Sequence, residues 1–202
     1  MDQLESSMIK AVIFDYFGVL VTEGLTAYRE NYIGNDLVKA AKLTSLVNDF
    51  NRGKNNTSYE EFLASLGALA GIQTSIVSKY LDSDQPNKIL IEFIRNNLKS
   101  KYKIGILSNS GEDWINETLS PPDVALFDEI VLSFKYNMIK PEPDFYKLIA
   151  KKLNTELNEC LFVDDIQRYC DGATSVGMES IHFIGTKDLI TELATKLANS
   201  NN

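Results

Sequence analysis

The chain has 202 residues, 20 Lys and Arg against 28 Asp and Glu, a formal charge of −8 and one histidine, His182. At this length roughly 70% of the unfolded surface is buried on folding, enough for one domain with an inserted subdomain. The acidic balance argues against nucleic acid or an anionic membrane surface as partner, since both need clustered Lys/Arg. A single histidine excludes any site that needs two, so carboxylates are the expected reagents if the protein is an enzyme. Cys160 and Cys170 form no CxxC pair and read as small buried hydrophobes. No signal-peptide pattern and no run of 18 uncharged apolar residues is visible, so the expected setting is cytoplasmic, with no membrane.

In chain order, the first element is Ala11-Val-Ile-Phe14, a short apolar run stopped by Asp15 and read as a strand buried on both faces. The stretch 23–85 then shows no strand. Its apolar residues fall at helical spacing, first at Leu37, Ala40, Ala41, Leu43 and Val47, then at Tyr59, Phe62, Leu63, Leu66 and Leu69, and Gly34, Gly53 and Gly71 punctuate it. It is expected to be a helical insertion. Beyond it, a helix over Asn87–Leu98 leads to a strand at Lys103–Leu107, and a helix over Glu112–Leu119 to a strand at Glu129–Leu132. Helices over Pro143–Leu153, Ile166–Gly177 and Lys187–Leu197 alternate with strands at Cys160–Val163 and Ser180–Ile184. The Asn/Ser-rich tail Asn199–Asn202 is expected to be disordered. This alternation implies right-handed βαβ units and an α/β, Rossmann-like parallel-sheet core of residues 1–22 and 86–202, with residues 23–85 as a cap subdomain.

In such a sheet, ligands bind beyond the carboxyl ends of the strands. The strand-end residues are Asp15, then Ser108-Asn109-Ser110-Gly111, then Asp164-Asp165, with Lys140-Pro141 in a loop before a helix. Asp15 is either a nucleophile or metal ligand, with Gly18 easing a close backbone approach, or a polar strand terminus. Asp164 and Asp165 either flank a hard divalent cation or form a helix cap with a solvated neighbour. Lys140 either offsets carboxylate or phosphate charge or is a solvated loop residue. Ser108 and the amides after it either hold a phosphate oxygen or form a plain turn.

Together, in this order, the strings Val12-Ile-Phe-Asp-Tyr-Phe-Gly-Val-Leu20, Gly105-Ile-Leu-Ser-Asn109, Ile139-Lys-Pro-Glu-Pro143 and Leu161-Phe-Val-Asp-Asp165 closely resemble the four motifs of the haloacid dehalogenase (HAD) superfamily. They are similar in particular to the branch that holds the phosphatase domain of soluble epoxide hydrolase and sugar-phosphate phosphatases, with the helical insertion where that family places a C1-type cap. The resemblance implies Asp15 as nucleophile, forming an aspartyl-phosphate that water hydrolyses, with Ser108 binding the phosphoryl group and Lys140 neutralising its charge. It implies Mg²⁺ held by Asp15, the carbonyl of Phe17 and Asp165, with Asp164 as a further ligand or as the group orienting metal and lysine. The substrate would be a small phosphorylated metabolite, met by Phe17, Gly18, Asn109 and Ser110. No stretch specifies an oligomeric state.

One departure stands out. The family's phosphatases carry a second Asp, the general acid, two residues after the nucleophile; here that residue is Phe17. General acid–base catalysis is worth about 10²–10⁴-fold, and a benzyl group donates no proton. Three outcomes are open: a phosphatase for good leaving groups or with another proton source; a weakened or inactive member that binds a phosphorylated ligand or a protein; or a 2-haloacid dehalogenase, whose Asp-x-Tyr-Gly-Thr pattern Phe17-Gly18 resembles. His182 is expected away from the site. Trp114 fits either a substrate entrance or helix packing, Glu142 the first turn of its helix, and Lys39, Lys42 and Lys54 solvent.

Overall fold

The computed structural model describes residues 8–199. Five strands, β1 (Ala11–Phe14), β2 (Lys103–Ser108), β3 (Glu129–Leu132), β4 (Cys160–Asp164) and β5 (Glu179–His182), form one sheet in the order β3-β2-β1-β4-β5. Every pairing is parallel. β1 is central and fully buried, which is why its four residues are all apolar rather than alternating. Phe14 pairs with Ile106 on one side and Val163 on the other, so Asp15 and Asp164 leave the sheet at the same level.

Alternate residues feed two cores. Val12, Phe14, Ile104, Ile106, Leu161 and Val163 pack with the helix α5 (Lys88–Phe93, running on into a π-helical turn at Ile94–Leu98) and the C-terminal helix Thr186–Asn199. Ala11, Ile13, Leu107, Cys160 and Phe162 pack with the helices Pro143–Lys152 and Gln167–Ser175 on the opposite face.

Between β1 and β2 lie four helices: α1 (Gly24–Tyr32), α2 (Leu37–Asn51), α3 (Tyr59–Ala70) and α4 (Thr74–Leu81). They enclose a third cluster around Tyr28, Leu43, Phe50, Phe62, Leu66 and Val77. Their ends are written locally. Asp36 accepts from the amides of Val38 and Lys39 at 3.0 Å each, and Ser58 and Glu61 form a reciprocal capping box. Gly71 closes α3 in the left-handed conformation at φ 74°.

The expected elements differ from the structure at a few ends. The helix expected over Glu112–Leu119 forms only at Ile115–Thr118, because the Ser110 hydroxyl captures the Glu112 carbonyl and holds the preceding residues as a loop. A short helix at Pro121–Val124 was not foreseen, and β5 covers Glu179–His182 instead of 180–184. Asn199 ends the last helix; the other tail residues, 200–202, lie outside the described residues. Among the described residues no single helix is long and apolar enough to cross a membrane.

Gly24 opens α1 against the backbone of α4: a Cβ there would lie 1.9 Å from the Tyr80 carbonyl oxygen. Backbone cannot yield as a side chain can, so Gly24→Ala is expected to destabilise the helical insertion by about 1–3 kcal/mol. Urea unfolding followed by tyrosine fluorescence measures it.

Candidate active site

At the end of β1, the Asp15 carboxylate is almost fully buried. Its Oδ1 accepts from the Tyr16 amide at 2.6 Å, and its Oδ2 lies 2.8 Å from Lys140 Nζ. The same ammonium donates to Asp164 Oδ2 at 2.6 Å, while Asp164 Oδ1 accepts from the Ile166 amide at 2.8 Å. Lys140 is thus a fully buried cation clamped by two strand-end acids and flanked by the rings of Phe162 and Tyr169 at 5.5 and 5.0 Å. Burial alone would lower its pKa; Asp15 and Asp164 outweigh that and hold it raised, so the ammonium stays charged.

The acids feel the opposite pressure. Burial, then Asp164, push Asp15 well above the usual carboxylate range against the pull of Lys140. Burial, then Asp164, also raise Asp165, to about 6. One ammonium faces three carboxylates, each of which brings an oxygen within 4.8 Å of the others. This cluster of hard, negatively charged oxygen donors, under-neutralised by Lys140, fits a small divalent cation such as Mg²⁺. Gly18, at φ +79°, packs on the Asp165 carboxylate so closely that a Cβ would stand 2.4 Å from Oδ2, bringing the Phe17–Gly18 backbone against the same cluster.

Ser108, last residue of β2, is fully buried, and its hydroxyl has no hydrogen-bond partner. A buried, unsatisfied hydroxyl is uncommon and fits a ligand's oxygen. Asn109 and Ser110 prove to be supports. The Asn109 side chain accepts from the Lys140 amide at 2.8 Å and donates to the Lys140 carbonyl at 3.3 Å, fixing the lysine's backbone. The Ser110 hydroxyl turns to the Glu112 carbonyl, and its amide donates to Ser133 Oγ. Both residues still line the cavity described next.

A cavity of about 750 Å³ lies between the sheet's carboxyl end and the helical insertion. Asp15, Phe17, Asn109 and Asp165 line it from the core, and Leu43, Val47, Phe50 and Phe62 from α2 and α3. The insertion is docked over it. Arg52 forms an ion pair with Glu142 and donates to the Asn137 carbonyl at 3.2 Å, Ser133 Oγ donates to the Asn51 carbonyl at 2.5 Å, and the Phe50 ring covers Gly111. Glu142 therefore does more than favour a first turn: the Arg52 hydrogen bond, foremost, holds its pKa below the usual value. Trp114 lines the cavity and meets Tyr59 edge-on at 4.6 Å.

The placement of His182 needs correction. It ends β5 opposite Asp164, and its Nε2 lies 2.9 Å from the Asp165 carbonyl oxygen, so it stands beside the site at the carboxyl edge. It does not line the cavity. Strand length decided this: β5 stops two residues earlier than its apolar run suggested. Arg29, Asp84 and Arg168 also line the cavity and escaped sequence reading, because none sits at a strand end or in a spaced motif.

A family model for haloacid dehalogenase-like hydrolases matches residues 9–177. The chain belongs to that family. Among its relatives, the sesquiterpene phosphatase astK of Aspergillus oryzae is 26% identical over 194 residues, covering 91% of this chain and 94% of that protein. The acyl-CoA dehydrogenase family member 10 of Mus musculus is 27% identical over 207 residues, covering 93% of this chain but only 19% of that much longer protein. The HAD family enzyme bt-2542 of Bacteroides thetaiotaomicron, solved in complex with magnesium and inorganic phosphate, superposes with a TM-score of 0.65 at 20% identity, over 86% of this chain and 93% of its own. The L-2-haloacid dehalogenase RSc1362 superposes equally well, with a TM-score of 0.65 at 18% identity, over 93% of this chain and 100% of its own. At such identities the superpositions speak for the fold alone.

Removing the shared cation should expose the strain among the acids. Lys140→Met is expected to cost about 3–5 kcal/mol in urea unfolding at pH 8 with chelator present, because two buried carboxylates lose their partner. Asp15 protonates readily, its pKa being raised, so the loss should shrink as the pH is lowered and the buried carboxylates become neutral.

Proposed function

We propose that this HAD-like hydrolase is a phosphatase acting on a small phosphorylated metabolite through an aspartyl-phosphate on Asp15. The observation that carries the reading is Lys140 bonded to both Asp15 and Asp164 with Asp165 in reach, where Asp15 and Asp165 line the cavity and an unsatisfied Ser108 hydroxyl ends the neighbouring strand. An Asp15 oxygen attacks phosphorus as the ester bond breaks. Ser108 donates to a phosphoryl oxygen, and Lys140, held charged, offsets the negative charge of nucleophile and phosphoryl group together. Water then attacks phosphorus, the Asp15–phosphorus bond breaks, and phosphate leaves. Asp15, Asp164, Asp165 and the Phe17 carbonyl would hold Mg²⁺, which when bound screens the repulsion between carboxylate nucleophile and phosphate dianion. The docked insertion supplies the apolar residues Leu43, Val47, Phe50 and Phe62 to the cavity wall.

A 2-haloacid dehalogenase is the second reading, favoured by Phe17-Gly18 and by the shared fold. The cluster of three carboxylates tells against it, since a monoanionic haloacid attacked by one aspartate calls for no divalent cation. A panel of aryl, alkyl and acyl phosphates and 2-chloropropionate, each with Mg²⁺ and with chelator, separates the readings. Metal-dependent phosphate release, lowered at least about 10³-fold in Asp15→Asn, is expected. Release unchanged in Asp15→Asn sinks the mechanism, and metal-independent chloride release supports the dehalogenase.

A further inference from the structure

With phenylalanine at position 17 and His182 outside the cavity, the leaving-group proton needs another source. We propose, resting on the phosphatase reading, that Asp84 is the general acid of this site. Asp84 lies in the segment by which the chain returns from the insertion to the core. That segment is laced to the stretch after the nucleophile: Phe17 bridges to Val21, Val21 bridges to Pro86, and Thr22 and Gln85 bond each other through the Thr22 amide at 2.9 Å and the Thr22 hydroxyl at 2.8 Å. Asp84, just before Gln85 in this segment, is tied by its side chain to Thr22 and Gly24, and Asp84, Asp15 and Phe17 line one cavity.

The carboxyl is suited to the task. Its two hydrogen-bond donors, the Gly24 amide at 2.8 Å and the Thr22 hydroxyl at 3.4 Å, both meet Oδ1, leaving Oδ2 to carry a proton. Burial first, then the charges of Glu23 and Asp82, outweigh those two bonds and raise its pKa to about 6. The phenols of Tyr16 and Tyr59 also feel its charge, and Arg29 and Glu117 share the cavity wall. Of the other acids nearby, Glu23 accepts from the Thr26 hydroxyl and Asp82 from the hydroxyls of Tyr59 and Ser78.

In the first half-reaction a bond forms from Asp15 oxygen to phosphorus and the phosphorus–leaving-group bond breaks. The departing oxygen keeps the electron pair and takes the proton from Asp84, giving a neutral alcohol. In the second, water attacks phosphorus while the Asp84 carboxylate takes its proton; the phosphorus–Asp15 bond breaks, and both carboxyl groups return to their starting states.

The test compares the wild-type chain, Asp84→Asn and Asp84→Asn combined with Phe17→Asp on p-nitrophenyl phosphate and hexyl phosphate, in Mg²⁺. Asparagine still accepts from the Gly24 amide, so the hinge is retained. Asp84→Asn is expected to lower kcat on hexyl phosphate about 10²-fold while changing p-nitrophenyl phosphate, whose anion needs no proton, by no more than about threefold. Wild-type turnover of hexyl phosphate should fall as pH rises through about 6, where Asp84 loses its proton, and this limb should vanish in Asp84→Asn. Adding Phe17→Asp should restore alkyl turnover. An equal loss on both esters, or an unchanged rate on hexyl phosphate, overturns the role of Asp84 while leaving the phosphatase reading intact. A wild-type chain that releases phosphate from neither ester overturns both.

Discussion

Everything at the carboxyl edge of the sheet depends on one buried ammonium. Lys140 holds two acids, Asp15 and Asp164, that arrive from neighbouring strands and would otherwise repel each other in a desolvated pocket. Such a pair of bonds does little for net stability, since taking three charges out of water offsets most of the attraction. Its effect is positional. The Lys140 backbone is pinned by Asn109 and its ammonium by two acids, so four segments distant in sequence meet with little freedom.

The parallel sheet makes that meeting possible. β1 lies between β2 and β4, and their in-step registers bring Asp15, Ser108 and Asp164 to one edge while the two faces of the same strands are consumed by packing against helices. The division is economical: side chains along the strands build the core, and only strand ends, where backbone pairing stops, are left for chemistry. One ammonium amid three carboxylates leaves the cluster short of positive charge, so its oxygens could hold a cation.

The helical insertion does two things with one set of contacts. The Arg52–Glu142 pair and the Phe50 ring over Gly111 dock it on the core, and the apolar sides of α2 and α3 become the cavity roof. Its hinge is no passive linker. The bridges from Phe17 through Val21 to Pro86 tie the returning segment to the stretch after Asp15, and Asp84 on that segment lines the same cavity as Asp15.

The amino-acid sequence by itself determined the strand-and-helix alternation, the α/β class, the place of the helical insertion and the identities of Asp15, Ser108, Lys140, Asp164 and Asp165 as strand-end or loop residues. These were legible because apolar runs, caps and motif order are local properties of the chain. It also exposed the absence of an acid at position 17. Only the tertiary structure decided that Asn109 and Ser110 support Lys140 and the loop after β2, that His182 stands at the site's edge, and that Arg29, Asp84 and Arg168 face the cavity. These depend on strand register, on where β5 stops and on how the insertion closes. Such long-range geometry is set by packing within three hydrophobic clusters that join residues distant in sequence, and no spacing along the chain encodes it.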